Sequence, residues 1–117
     1  MDDILKATLL YDFYGELLTQ KQKTIFEYYY LNDCSLTEIG EELGISRQAV
    51  RDLLKRTENI LLSYEQRLKL VEKFGIQKES VRRIKSLAQE IEKSCTISSE
   101  AIEKIEEIKN IADEILD

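Results

Sequence analysis

CSLTEIGEELGISRQAVRDLLKR, running from Cys34 to Arg56, reads as two short helices around a tight turn. The first helix spans Leu36–Leu43 and the second begins at Arg47. Ser35 followed by Glu38 is a capping box, in which the serine hydroxyl and the glutamate carboxylate each satisfy an orphan amide at the helix start. Gly44 comes just after the last apolar residue of that helix, where a left-handed residue commonly ends one. Ile45 can tuck under the turn, and Ser46 can cap the helix that follows. Ile39, Leu43, Ile45, Val50 and Leu53 fall where two crossed helices pack, and Gly40 is small where they approach. These are the parts of a helix-turn-helix.

The second helix then offers Arg47, Gln48, Arg51, Lys55 and Arg56 on an exposed side. In a helix-turn-helix this helix lies in the DNA major groove, with its first residues nearest the base edges. Arginine matches guanine and glutamine matches adenine through paired hydrogen bonds, so Arg47, Gln48 and Arg51 are the base-reading candidates. Lys55 and Arg56 are better placed for phosphates, which set register and affinity without carrying sequence information. With Ser46 at the cap, these six residues are the candidate DNA-binding set. A solvated helix surface is the competing reading of the same charges.

Composition agrees with an all-helical chain. Its 117 residues include no proline and four glycines, and they suit one domain, or one domain with an extension. The net charge is −6, yet Arg47–Arg56 holds four bases against one acid, Asp52. The excess acid lies before Thr19 and after Gly75. That segregation favours a local DNA face, with modest affinity and strong salt dependence. There is no histidine, and Cys34 and Cys95 are far apart, so a zinc site of usual spacing is excluded. Both cysteines read as small, partly buried residues of a reducing compartment. No secretory signal and no apolar run long enough to span a bilayer are seen, and a cytoplasmic protein without membrane insertion is expected.

Upstream of the motif, Asp2–Leu18 reads as a first helix with Ile4, Leu5, Leu9, Phe13 and Leu17 on its stripe and Asp2 and Asp3 at its start. Tyr11 and Tyr14 read as core or half-buried flanks. Thr19 with Gln22 forms another capping box, opening a helix of about Gln20–Leu31. In the cluster Tyr28–Tyr30, three consecutive rings cannot share one helical face. Two core-facing rings and one at the rim are expected in preference to a base-stacking platform. Asn32–Asp33 reads as a turn.

Downstream, Val50, Leu53, Thr57, Ile60, Tyr64, Leu68 and Val71 continue one apolar seam, widened by Leu54, Leu61 and Leu62. No breaker precedes Gly75, so one long helix from Arg47 to about Phe74 is predicted. The domain organisation expected is residues 1–74 as the helix-turn-helix domain and 75–117 as a C-terminal extension. That extension contains two amphipathic helices. One carries Val81, Ile84, Ala88 and Ile91; the other carries Ala101, Ile105, Ile108, Ala112 and Ile115, with Ser98 or Ser99 at its cap. Their seams suit packing on the long helix or homodimerisation. Arg82, Arg83 and Lys85 form a small basic knot opposite the stripe, read chiefly as solvated charge.

No catalytic constellation is present: there is no histidine, no Gly-rich phosphate loop and no nucleophile motif, so an enzyme is not expected. No cofactor is implied. The run LLTQKQKTIFEYYYLNDCSLTEIGEELGISRQAVRDLLKRTENIL, Leu17–Leu61, resembles the promoter-reading fourth region of bacterial sigma factors. With the opening ILKATLLYDFYGELLT, the layout from Ile4 to about Phe74 looks more like the YlxM family of small helix-turn-helix proteins. ISRQAV at Ile45–Val50 and KRTE at Lys55–Glu58 carry that resemblance. The residues after Gly75 carry no resemblance of their own. Gly40 departs from the alanine usual at its place in helix-turn-helix patterns.

The resemblance implies an all-helical fold with a sigma-region-like helix-turn-helix. Genes of the family commonly neighbour those of the signal recognition particle, so it also implies a component or regulator of that pathway. The Ser35–Arg56 motif with its basic face makes double-stranded DNA the leading partner. The alternative is a non-DNA role on the particle's RNA or GTPase. A sigma-like accessory of RNA polymerase is a third, weaker reading, because the promoter-melting region is missing.

Overall fold

Side-chain caps start four of the helices, and left-handed residues end two of them. The computed structural model describes residues 4–94 and 96–117, and the regular structure among them is helical throughout. The helices are α1 (Ile4–Tyr14), α2 (Gln20–Phe26), α3 (Leu36–Leu43), α4 (Arg47–Leu68), α5 (Leu70–Ser94) and α6 (Ser99–Leu116). A short 3-10 turn, Gly15–Leu17, follows α1, and a π-helical turn, Glu27–Leu31, follows α2. The chain divides into two compact units, Met1–Val71 and Glu72–Asp117. Asp2, Asp3 and Cys95 lie outside the described residues; Cys34 is a free, half-buried cysteine.

Two apolar clusters hold the first unit together. Ile25, Ile39 and Val50 join α2, α3 and the start of α4, with Leu43, Ile45 and Leu53 packed against them. Ala7, Leu10, Tyr14, Leu18, Phe26 and Leu61 join α1 and α2 to the second half of α4. Burial of such side chains contributes about 1.5–3 kcal/mol each. Tyr11 stacks on Phe26 at 4.6 Å between ring centres and donates a 2.7 Å hydrogen bond to Glu27. The face of α1 differs from the stripe expected from spacing: Ile4, Leu5 and Leu17 are exposed, while Ala7, Leu10 and Tyr14 are buried. Because α1 is apolar nearly all round, its period does not select a side, and packing against α4 does.

The predicted single helix Arg47–Phe74 is in fact two. α4 ends at Lys69, which stands in the left-handed region at φ 55°, and α5 starts at Leu70. Gly75, expected to break the helix, lies inside α5. A glycine lowers helix stability by about 1 kcal/mol but leaves the hydrogen-bond ladder intact, so it need not end one. The break is held from far upstream. The Tyr14 hydroxyl donates to Glu65 at 2.5 Å and accepts the Leu70 N–H at 3.1 Å; the same Glu65 oxygen accepts the Val71 N–H at 3.0 Å. Burial first, then Glu65, pushes the Tyr14 phenol above its ordinary pKa, so it stays a donor.

In the second unit, Ser98 caps α6 by accepting the Ala101 N–H at 3.1 Å. Lys85 reaches Asp113 at 2.6 Å and Lys109 reaches Glu92 at 2.8 Å, so α5 and α6 run antiparallel. Of the basic knot, Lys85 is thus paired across the helices, Arg82 pairs with Glu79 along α5 at 3.1 Å, and Arg83 is exposed. No helix among the described residues is long and apolar enough to cross a membrane.

Candidate nucleic-acid interface

The turn between α3 and α4 is built by its own side chains. Ser35 accepts the Glu38 N–H at 3.1 Å, and Glu38 accepts the Ser35 N–H at 3.0 Å. The Ser35 amide holds the Glu38 carboxyl below its ordinary pKa. Gly44 takes the left-handed conformation at φ 70°, and the Ile45 N–H returns to the Gly40 carbonyl at 3.0 Å. That six-to-one bond is the closure of a Schellman turn, and it places Ile45 against the cluster that holds Ile39. Ser46 then accepts the Ala49 N–H at 3.0 Å and starts α4.

Val50, Leu54, Thr57 and Leu61 mark the buried side of α4. Thr57 satisfies its hydroxyl on the Leu53 carbonyl at 2.9 Å. Arg47, Arg51 and Lys55 are all exposed and recur every four residues, so they form one row along the helix. Gln48 is exposed beside that row, and its amide donates to Asp52 at 2.9 Å. Arg56 is exposed as well, but at about 100° per residue it stands beyond Asp52 and outside the row. Ser46 is exposed with its oxygen engaged as the cap. The fold therefore groups Arg47, Gln48, Arg51 and Lys55, sets Arg56 apart, and puts Ser46 at the root of the row.

One neighbour is not foretold by the sequence. Tyr29 is exposed, and with Tyr30, Leu36, Arg51, Lys55 and Glu58 it borders a groove of about 400 Å³. The π-helical turn, closed by the Asn32 N–H on the Glu27 carbonyl at 2.9 Å, sends Tyr28 and Tyr30 to different apolar clusters. Tyr29 is left as the rim ring. The triple tyrosine is the available signal, but spacing does not reveal that the outward ring stands by the basic row. Tyr30 is bonded to Glu58 on the floor of this groove. Among the described residues no group of three potential ligands is arranged to hold a metal ion.

Comparison with known proteins places these features in a family. A family model described as "Putative helix-turn-helix protein, YlxM / p13 like" matches residues 1–108. That match runs past Gly75 and through most of the C-terminal pair, where no motif is recognisable from the residues alone. A protein of Caldanaerobacter subterraneus is 58% identical over 84 residues, 72% of each chain. One from Thermoanaerobacter sp. is 48% identical over 114 residues, 97% of each chain. YlxM of Bacillus subtilis is 44% identical over 108 residues, 91% of this chain and 98% of that one. The description is of a helix-turn-helix protein.

Proposed function

We propose that this chain, which belongs to the UPF0122 family of YlxM- and p13-like proteins, is a cytoplasmic regulator that docks α4 in the major groove of duplex DNA. The observation that carries this reading is the row Arg47–Arg51–Lys55, exposed on α4 while Val50, Leu54, Thr57 and Leu61 of the same helix are buried in the core. Arg47 and Arg51 read base edges, Gln48 reads adenine once it leaves Asp52, and Lys55, Arg56 and Ser46 meet the backbone. Tyr29 borders the same surface and supplies a phenol to a phosphate or sugar. The family resemblance supplies the setting, namely genes of the signal recognition particle pathway.

Selection from a random duplex library tests the reading, followed by binding of the enriched site. Arg47→Ala with Arg51→Ala is expected to weaken that site by about 1–3 kcal/mol for each bidentate base pairing removed and to relax sequence choice. Undiminished binding by the double variant would contradict the assignment. A palindromic site would mean that two copies read two half-sites.

A second reading has one observation in its favour: the Gln48 amide is already engaged by Asp52, which weakens direct base readout. The row would then grip the particle's RNA through its phosphates and shape, without base specificity, or the chain would act on the particle's GTPase. No enriched duplex motif, together with retention of particle RNA, is the outcome that selects this alternative.

A further inference from the structure

α5 and α6 carry more apolar surface than they bury on each other. Among the described residues of the Glu72–Asp117 unit the buried hydrophobic ones are Ala88, Ile105 and Ala112. Ile84 is 51% exposed, Ile91 47%, Ile111 50% and Ile115 50%. Ile84, Leu87 and Ile91 repeat at three and four residues along α5, and Ile108, Ile111 and Ile115 do the same along α6. Each helix thus has a second apolar side. The two sides converge, since Ile84 lines one apolar groove of about 160 Å³ with Ile108, Ile111 and Ile115. A pair of helices has only one mutual interface, so sides this wide call for another layer.

Charge indicates what that layer is. α5 has six bases against four acids, whereas α6 has six acids against two bases. The helical period puts Glu107 and Glu114 along the edge of α6 away from α5, and Arg83 along the outer edge of α5. Stacking two such pairs with α5 on α5 sets like charges together. A two-fold axis parallel to the helices instead lays α5 of one copy beside α6 of the other. Every neighbour in that ring is antiparallel and of opposite net charge.

We propose that the chain forms a two-fold homodimer through the Ile84–Ile111 side of the α5–α6 pair, closing a four-helix bundle in which Arg83 of each copy faces Glu114 of the other. The inference stands apart from the DNA reading, because it uses no residue of the helix-turn-helix. Sedimentation of the full chain over a dilution series tests it. Wild-type protein is expected at twice the 13.7 kDa mass of one chain. Ile111→Glu is expected at the single-chain mass with unchanged helical circular dichroism. Arg83→Glu should raise the dissociation constant several-fold, and adding Glu114→Arg should restore it. Arg47→Ala with Arg51→Ala should leave the mass unaltered, whatever it does to DNA.

A single-chain mass for the wild type at every concentration would overturn the proposal, leaving the strip to the chain's own first unit or to a different protein. A dimer undisturbed by Ile111→Glu would overturn it too, by locating the interface elsewhere. If Ile111→Glu loses helicity, the surface charge swap decides: failure of Glu114→Arg to rescue Arg83→Glu rejects the arrangement.

Discussion

A Cβ placed on Gly40 would stand 2.7 Å from the Ile45 carbonyl oxygen, closer than real side chains come to backbone. The neighbour is main chain fixed by the Ile45-to-Gly40 hydrogen bond, so it cannot swing aside as a side chain would. Gly40→Ala gains about 1 kcal/mol of helix propensity, while forcing a methyl into a packed site costs about 1–3 kcal/mol. Net destabilisation is expected, read as a lower urea midpoint at unchanged slope; a variant as stable as the wild type would refute the close approach. Small size at this position was legible from the sequence, but its necessity was not, because it depends on where Ile45 sends its carbonyl. The same holds across the candidate interface. That Arg47, Gln48, Arg51 and Lys55 are exposed was legible because exposure on α4 follows the helical period. The Gln48–Asp52 bond and the nearness of Tyr29 were not, since each depends on a rotamer or a π-helical register that spacing does not fix.

At the scale of elements, the caps were readable and one break was not. Thr19 with Gln22, Ser35 with Glu38, Ser46 and Ser98 all act within three residues of their own position, so sequence alone locates the helix starts they make. The end of α4 has no such local mark. Lysine is an ordinary helix former, and it takes the left-handed conformation at Lys69 where Tyr14 and Glu65 receive the amides of Leu70 and Val71. Gly75 carried the stronger local signal and lies in unbroken helix. Removing one hydroxyl tests this account. Tyr14→Phe keeps the buried ring and deletes both the donor to Glu65 and the acceptor for Leu70. A destabilisation of about 1–3 kcal/mol is expected, because a half-buried carboxylate and an amide each forfeit a hydrogen bond. Faster hydrogen exchange at the Leu70 amide should accompany it. Unchanged exchange there would mean that the break persists without its cap.

For the whole molecule, the net charge is −6 although α4 carries a basic row. That field opposes the approach of phosphates, so binding depends on local pairings that must outweigh it, and salt weakens them in proportion to their number. Observed affinity falls with a log–log slope of about −0.9 for each phosphate neutralised by a cation; one copy engaged through Lys55 and Arg56 gives roughly −2, and two joined copies give roughly −4. The slope therefore reports both the row and the assembly in one titration. Wild-type protein on a two-fold site is expected near the steeper value, and Ile111→Glu near the shallower one on the same duplex. Lys55→Ala should flatten either by about one unit per copy. A slope near zero would remove the row from the interface altogether. An equal slope for wild type and Ile111→Glu, with both bound, would mean that the second copy adds no cations to the duplex.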